Sequence, residues 1–258
     1  MRFTITGQEN ESSKQITFRH IIPSVFTSLH LICGMFSIIL AFDGRYVPAA
    51  WLILLALFFD SIDGRLARAL DSHSQFGLVY DSLSDIISFG VAPAMVMYAS
   101  SLKDFGGVTG AIVATFFVLC VVLRVARFSI TPSSPSGPRP YQGLPCPASS
   151  LFLLALIKAG VPVENMPGVV ALFMVILGFL SLSSVPYSNI KKMTRENANK
   201  KRCYLLLGAV LLSIVIFRGA APLLFWSVYI IAGVLRFDWD KWLIVMSSPI
   251  QEGNTENK

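Results

Sequence analysis

Long apolar runs occupy most of this sequence, and they limit the chain to one class of fold. A helix needs about 20 mostly apolar residues to cross the hydrocarbon core of a membrane, which is roughly 30 Å thick. Of the 258 residues, 54% are hydrophobic, a share that is rare in soluble domains. The sequence therefore predicts an all-α, polytopic membrane bundle of about eight transmembrane helices, near 20–42, 47–70, 81–102, 107–130, 147–161, 166–187, 203–217 and 222–237.

The basic residues are distributed unevenly between these runs. A net charge of +6 is compatible with nucleic-acid binding, but the positions of the charges favour another explanation. If the N-terminus is cytoplasmic and the spans alternate, the basic run 191–202 lies inside, and only Arg45, Lys103, Lys158 and Arg218 of the 21 basic residues fall outside. This is the positive-inside pattern of membrane proteins. It predicts contact with membrane lipids and no nucleic-acid partner.

We expect one membrane domain with polar ends. The predicted segments are a cytoplasmic N-terminal tail (1–19), a membrane core (20–188), a basic cytoplasmic loop with two further transmembrane helices (189–246) and a polar C-terminal tail (247–258). The cysteines have no CxxC spacing and lie in or beside the spans, which predicts buried thiols rather than disulfides or a zinc site. They are Cys33, Cys120, Cys146 and Cys203.

Four aspartates interrupt the apolar pattern where the second span ends and the third begins. Helix positions three or four residues apart share a face, so Asp60, Asp63 and Gly64 lie on one stripe. Asp81 and Asp85 form a second stripe on the next span. Because the connection between the spans is short, the two helices are expected to be antiparallel neighbours whose stripes face each other.

Carboxylates gathered at the edge of a bilayer repel one another and lose solvation, so they need compensating charge. A hard divalent cation supplies this charge, because Mg²⁺ and Mn²⁺ favour carboxylate oxygens and retain positions for phosphate oxygens. Gly64 leaves room for a ligand near the helix backbone. Helix capping or an interfacial position explains a single aspartate well, but explains four on two facing stripes poorly. The pattern predicts a metal–phosphate site.

The spacing of these residues resembles the signature of the CDP-alcohol phosphatidyltransferases, and every fixed position of that signature is filled. The matching run is Asp60-x-x-Asp63-Gly64-x-x-Ala67-Arg68, eight residues, then Gly77-x-x-x-Asp81-x-x-x-Asp85. The resemblance covers a six-helix catalytic core, with two further helices after it. It implies transfer of a phosphatidyl group from a CDP-linked lipid to an alcohol with release of CMP. It also suggests a homodimer.

The resemblance further implies roles for individual residues. Asp60, Asp63 and Asp81 would bind one or two divalent ions, Mg²⁺ or Mn²⁺. Asp85 would lie near the metal as a further ligand and act as the general base that takes the proton of the incoming hydroxyl. The CDP-lipid would be surrounded by the remaining residues of the signature, which are Gly64, Ala67, Arg68 and Gly77.

Two further stretches resemble the bacterial type II phosphatidylserine synthases and indicate L-serine as the acceptor and CDP-diacylglycerol as the donor. LRVARF, followed by YQGLPCPAS, is similar to their RLARFN…FxGLPxPA pattern, with Ser129 in place of the usual Asn. Arg124 and Arg127 are therefore candidates to bind the serine carboxylate or a phosphate in a bidentate fork. Arginines at a cytoplasmic span end also commonly set topology, so this second explanation stays open.

IIPSVFTSLHLICG is similar to the first-helix motif LPNxxTxxNxxxG of the same enzymes. It departs from that motif at Ser24 and His30, both commonly Asn. We expect His30 to be a hydrogen-bonded interior histidine rather than a substrate contact.

The resulting hypothesis is a CDP-diacylglycerol–serine O-phosphatidyltransferase of the bacterial cytoplasmic (inner) membrane, with its active site on the cytoplasmic side. One alternative is the same chemistry with glycerol 3-phosphate, inositol phosphate or choline as acceptor. The other is a cation transporter. A transporter is expected to place its carboxylates near the bilayer midplane, often in broken helices. Here they cluster at one end of two adjacent spans beside arginines, which favours a phosphate ligand.

Overall fold

The computed structural model describes residues 8–70, 74–130, 141–187 and 220–235. The first half of the described chain contains α1 (Gln8–Phe42), α2 (Tyr46–Ala69), α3 (Gln75–Asp85), α4 (Ala92–Met97) and α5 (Thr109–Ile130). The second half contains α6 (Cys146–Lys158), α7 (Pro167–Leu182) and α8 (Ala221–Val234), with a 3₁₀ turn at Val163–Asn165. Two residue pairs, β1 (Tyr141–Gln142) and β2 (Pro186–Tyr187), form a short antiparallel ladder with Tyr141 opposite Tyr187.

Four of the described helical segments are long and apolar enough to cross a membrane. They are Ile22–Phe42, Tyr46–Ala69, Gln75–Leu102 and Thr109–Ser129, and the shorter apolar helices are α6, α7 and α8. The helical membrane class is thus confirmed, whereas the count of eight spans stays a prediction. The predicted span at 203–217 and most of the basic segment 189–246 lie outside the described residues.

The third span begins at Gln75, earlier than the residue 81 expected from hydropathy. The physical reason is an N-cap, because the Ser74 Oγ accepts a hydrogen bond from the Gly77 N–H at 2.9 Å. Asp81 and Asp85 therefore lie inside a helix rather than at its first turn. The first helix also starts before its predicted boundary at 20, since α1 begins at Gln8.

Small residues allow the first two helices to pack closely. Ala49, Ile53 and Ala56 on α2 have no exposed surface, and the Ser37 Oγ of α1 donates a hydrogen bond to the Ala49 carbonyl at 2.9 Å. Small side chains and interhelical hydrogen bonds stabilise helix pairs in lipid, where burial of apolar groups gives little driving force. The opposite faces carry exposed large apolar side chains, such as Phe58, which suits contact with lipid.

The third span is not a uniform α-helix. Two π-helical stretches, Ile86–Val91 and Tyr98–Leu102, flank α4. Insertions of this kind often accompany functional sites because they change which side chains face a neighbouring helix. The first stretch follows directly after Asp85, and it packs against α1, α5 and α6.

Candidate active site

Side chains from three helices converge at the end of α2. One ligand atom each from Asp60, Asp81, Asp85 and His30 lies within 4.8 Å of the others. The two aspartate stripes therefore do meet, as the antiparallel arrangement of the second and third spans predicts. Oxygen and nitrogen atoms at such separations can coordinate a common divalent cation.

The fourth signature aspartate lies beside this cluster. Asp63 is only 4% exposed, and it interacts electrostatically with Asp81 and Asp60. Its Oδ2 atom is buried and has no hydrogen-bond partner among the described residues. A buried carboxylate oxygen in this state is costly unless a cation or a further donor approaches it. The donor set therefore fits a divalent metal ion.

Asp85 is the most centrally placed of the carboxylates. It interacts electrostatically with all three other aspartates and with the guanidinium of Arg124, and its Oδ1 is buried without a hydrogen-bond partner in the described chain. The backbone that follows Asp85 is held in place by hydrogen bonds to α1 and to α6. The Ser88 Oγ donates to the His30 carbonyl at 3.2 Å, and the Ser150 hydroxyl donates to the Phe89 carbonyl.

The surface beside the carboxylates is open where the signature has a glycine. A methyl group added at Gly64 would meet only the Arg68 Nη1, at 3.8 Å. Gly64 therefore leaves free space above the helix backbone, which agrees with the predicted approach of a ligand. Gly77 lies in the first turn of α3, where its N–H donates to the capping Ser74 Oγ and a methyl group would lie only 3.0 Å from that oxygen. Ala67 lies on α2 about one turn beyond Gly64.

Arg124 faces the carboxylates from α5. It is 7% exposed, its Nη1 donates to the Cys146 Sγ at 3.5 Å, and its Nε has no hydrogen-bond partner among the described residues. A buried guanidinium beside Asp85 with an unused donor can bind a carboxylate or a phosphate oxygen. Cys33 and Cys120 are also buried free thiols, as predicted, and Cys203 lies outside the described residues.

Arg127 is placed differently from Arg124. Its Nη1 donates to the Leu182 carbonyl at 2.9 Å and its Nη2 to the Ser183 carbonyl at 3.2 Å. These bonds satisfy carbonyls at the C-terminal end of α7, where a helix leaves acceptors without intrahelical donors. The geometry indicates a structural role, and the substrate contact suggested by the sequence stays a prediction.

The segment GLPCP lies next to the site because the end of α7 holds it there. The Gly143 N–H donates to the Val185 carbonyl at 2.9 Å, and the Leu144 N–H donates to the Leu180 carbonyl at 3.0 Å. Gly143 has a φ of +82°, a conformation in which a glycine is favoured. Cys146 then begins α6 in contact with Arg124.

The prediction for His30 was wrong in one respect. Its side chain is fully buried, but neither ring nitrogen has a hydrogen-bond partner among the described residues. Instead the ring lies beside Phe89, with centroids 5.0 Å apart. One ring nitrogen lies within 4.8 Å of carboxylate oxygens of Asp60, Asp81 and Asp85, which we call the carboxylate cluster. The signal in the sequence was the departure from Asn at this position of the first-helix motif, although we expected an interior histidine that forms hydrogen bonds.

Comparison with known proteins agrees with this geometry. The sequence model of the CDP-alcohol phosphatidyltransferase family matches residues 20–180. A CDP-diacylglycerol–serine O-phosphatidyltransferase of Helicobacter pylori is 34% identical over 232 residues, covering 88% of this chain and 93% of the relative. An archaetidylserine synthase of Methanothermobacter thermautotrophicus is 35% identical over 190 residues, covering 72% of this chain and 78% of the relative.

A third relative covers a comparable share. It is a CDP-diacylglycerol–serine O-phosphatidyltransferase of Methanocaldococcus jannaschii, 31% identical over 216 residues, which are 84% of this chain and 94% of the relative. The matched region contains all eight signature positions and His30, so it includes every residue of the cluster described above. This chain therefore belongs to the CDP-alcohol phosphatidyltransferase family and is an integral membrane enzyme of phospholipid biosynthesis.

Proposed function

We propose that this enzyme transfers a phosphatidyl group from CDP-diacylglycerol to the hydroxyl of L-serine, giving phosphatidylserine and CMP. The observation that carries the proposal is the carboxylate cluster of Asp60, Asp81 and Asp85 beside the buried cation of Arg124. An anionic diphosphate and an amino acid with its own carboxylate both need such opposite charges. The names of all three relatives described above include serine, either as the acceptor or as the headgroup of the product.

The aspartates account for the diphosphate end of the donor. Asp60, Asp63, Asp81 and Asp85 would hold one or two divalent ions, Mg²⁺ or Mn²⁺, which would neutralise the diphosphate charge. Arg68 lies about one turn beyond Gly64 on α2 and would contact the same diphosphate. Gly64, Ala67 and Gly77 would leave space for the cytidine, because none of them carries a large side chain.

Asp85 is the proposed general base. A serine hydroxyl is a weak nucleophile at neutral pH, so removal of its proton by a positioned carboxylate lowers the barrier. The hydroxyl oxygen then attacks the lipid-side phosphorus directly, the bond from that phosphorus to the bridging oxygen breaks, and CMP departs with the bonding electron pair. The Oδ1 atom of Asp85 is buried, which would limit access of bulk water to the base.

Arg124 is the proposed partner of the serine carboxylate. Its Nε is buried and unused, and the guanidinium lies close enough to Asp85 for their charges to interact. A serine held by its carboxylate at Arg124 would place its hydroxyl near Asp85. An acceptor that carries a phosphate, such as glycerol 3-phosphate, could use the same cation, so it is the principal alternative. A cation transporter fits less well because the cluster has an arginine at its edge.

The surroundings of the site suggest its place in the cell. The positive-inside pattern supports an inner-membrane location with the N-terminus and the active site on the cytoplasmic side. The long helices expose apolar side chains that suit contact with lipid. The acyl chains of the donor could therefore stay in the bilayer while its headgroup reacts at the membrane surface. Family resemblance supports a homodimer.

The test is CMP release by purified enzyme given CDP-diacylglycerol and Mn²⁺ or Mg²⁺, with serine or glycerol 3-phosphate supplied separately. We expect CMP release with serine but not with glycerol 3-phosphate. The Asp85→Asn variant should lose this release. Release with glycerol 3-phosphate alone would overturn the serine assignment while keeping the family reaction. Cation flux in proteoliposomes without CMP release would instead support a transporter.

A further inference from the structure

His30 is a buried polar side chain at the site, and the proposed reaction gives it no role. It has no exposed surface, and neither Nδ1 nor Nε2 has a hydrogen-bond partner among the described residues. Leaving a buried donor or acceptor unsatisfied is energetically costly, so native structures rarely retain one without a reason. The two ring nitrogens therefore indicate that a ligand completes this part of the site.

The direction of the unsatisfied group identifies the kind of ligand. One His30 nitrogen lies within 4.8 Å of carboxylate oxygens of Asp60, Asp81 and Asp85. A neutral imidazole offers a lone pair on one nitrogen, and three carboxylates around it supply the negative charge that a cation requires. A divalent metal ion is a ligand that all four side chains could bind together.

The surrounding structure holds the imidazole in this position. The His30 carbonyl accepts a hydrogen bond from the Ser88 hydroxyl. The His30 ring lies against the Phe89 ring, with an angle of 36° between the two ring planes. One turn further along α1, a side-chain carbon at Gly34 would collide with Ser88, so glycine permits the close approach of the two helices. The π-helical stretch after Asp85 thus positions the imidazole and the carboxylate with the same few residues.

We infer that His30 is a nitrogen ligand of the divalent ion in this site and raises its affinity for Mn²⁺ relative to Mg²⁺. The inference rests on the metal-dependent part of the proposed function. Imidazole is a better ligand for first-row transition ions than for Mg²⁺, which prefers oxygen donors and retains its water reluctantly. A site of three carboxylates and one imidazole therefore selects the transition ion.

The experiment is pulsed electron paramagnetic resonance of Mn²⁺ bound to the purified full-length protein without substrates. A directly bound imidazole transfers unpaired spin to its ¹⁴N nucleus, so wild type is expected to show a nitrogen coupling. His30→Asn should lose it, and it should need about tenfold more Mn²⁺ than wild type for half-saturation while its Mg²⁺ requirement changes little. The other two histidines provide matched controls, and His20→Asn and His73→Asn should retain the coupling.

The outcomes separate this inference from the proposed function. Bound Mn²⁺ without a nitrogen coupling in wild type, or a coupling that persists in His30→Asn, would overturn the role of His30 while CMP release from serine could still stand. Failure of the wild type to bind Mn²⁺ at all would overturn both His30 and the metal site. If His30→Asn does not fold, the wild-type spectrum and the two control variants still decide the question.

Discussion

The Nη1 of Arg124 donates a hydrogen bond to the Sγ of Cys146 at 3.5 Å, and this contact joins the last turns of α5 to the first residue of α6. The same guanidinium interacts with the carboxylate of Asp85. Arg124 therefore connects the GLPCP segment to the carboxylate cluster, although the residues lie far apart in the chain. This arrangement gives Arg124 and Arg127, which share one sequence motif, different expected effects on mutation.

Substitution of Arg124 is expected to weaken serine binding. Arg124→Gln removes the cation that we assign to the serine carboxylate, so the KM for serine should rise by about tenfold or more, equivalent to ~1.4 kcal/mol. Binding of CDP-diacylglycerol should change much less. Steady-state kinetics with each substrate varied in turn measures both effects. Cys146→Ala is the control, because a thiol is a weak acceptor and its loss should leave the serine KM nearly unchanged.

Substitution of Arg127 should affect stability instead. Arg127→Gln loses two charged hydrogen bonds to the carbonyls of Leu182 and Ser183, and bonds of this type contribute about 1.5–3 kcal/mol each. The midpoint of thermal unfolding in detergent should fall, while the serine KM of the folded fraction stays close to that of wild type. An unchanged midpoint with a raised serine KM would show that Arg127 contacts the substrate, as its motif suggests.

Removal of the general base should slow the chemical step. Asp85→Asn keeps the shape of the side chain but cannot accept the serine proton, so kcat should fall by about 10²–10⁴-fold. The measurement is the rate of CMP release at saturating serine and CDP-diacylglycerol. Asp43→Asn, in the exposed turn between α1 and α2, is the matched control and should retain activity. Near-normal turnover in Asp85→Asn would contradict the assignment.

Two glycine substitutions should differ in their effects on folding. Gly64→Ala meets only the Arg68 guanidinium, so the protein should fold normally, yet kcat/KM for CDP-diacylglycerol should fall by about tenfold or more because the methyl group occupies ligand space. Gly34→Ala meets the Ser88 side chain and its Cα at 2.9 Å, so it should lower the unfolding midpoint. Full activity in Gly64→Ala would contradict a ligand-binding surface there.

Metal removal should abolish activity reversibly. Treatment with a chelator is expected to stop CMP release, and added Mn²⁺ or Mg²⁺ should restore it, because the carboxylates alone would repel the diphosphate. Asp63→Asn should raise the metal concentration for half-maximal rate by about tenfold, since it removes one anionic donor beside the cluster. Asp104→Asn, which is exposed, should leave this concentration unchanged. Activity that survives exhaustive chelation would contradict a metal-dependent site.

The sequence was sufficient for the features that depend on local periodicity. Hydropathy located the first four spans because a membrane helix needs a continuous apolar run, and that requirement can be read directly along the chain. The pairing of Asp60 with Asp81 and Asp85 also followed, since a fixed helical period and a short connection leave two neighbouring helices little freedom. The start of α3 was predicted too late. Its N-cap at Ser74 lets the helix begin before the apolar run, and hydropathy detects only that run.

Only the tertiary structure could decide between side chains that look equivalent in the sequence. Arg124 and Arg127 are nearly one helical turn apart, and their different partners depend on where α6 and the end of α7 pack against α5. His30 joins the carboxylates because Ser88 and Phe89 hold α1 against a π-helical turn far along the chain. The sequence by itself determined the membrane class, the aspartate stripes and their chemistry, because helix period and hydrophobicity act locally. The packing of distant helices decided which other side chains complete the site, because that choice depends on distances that no local pattern encodes.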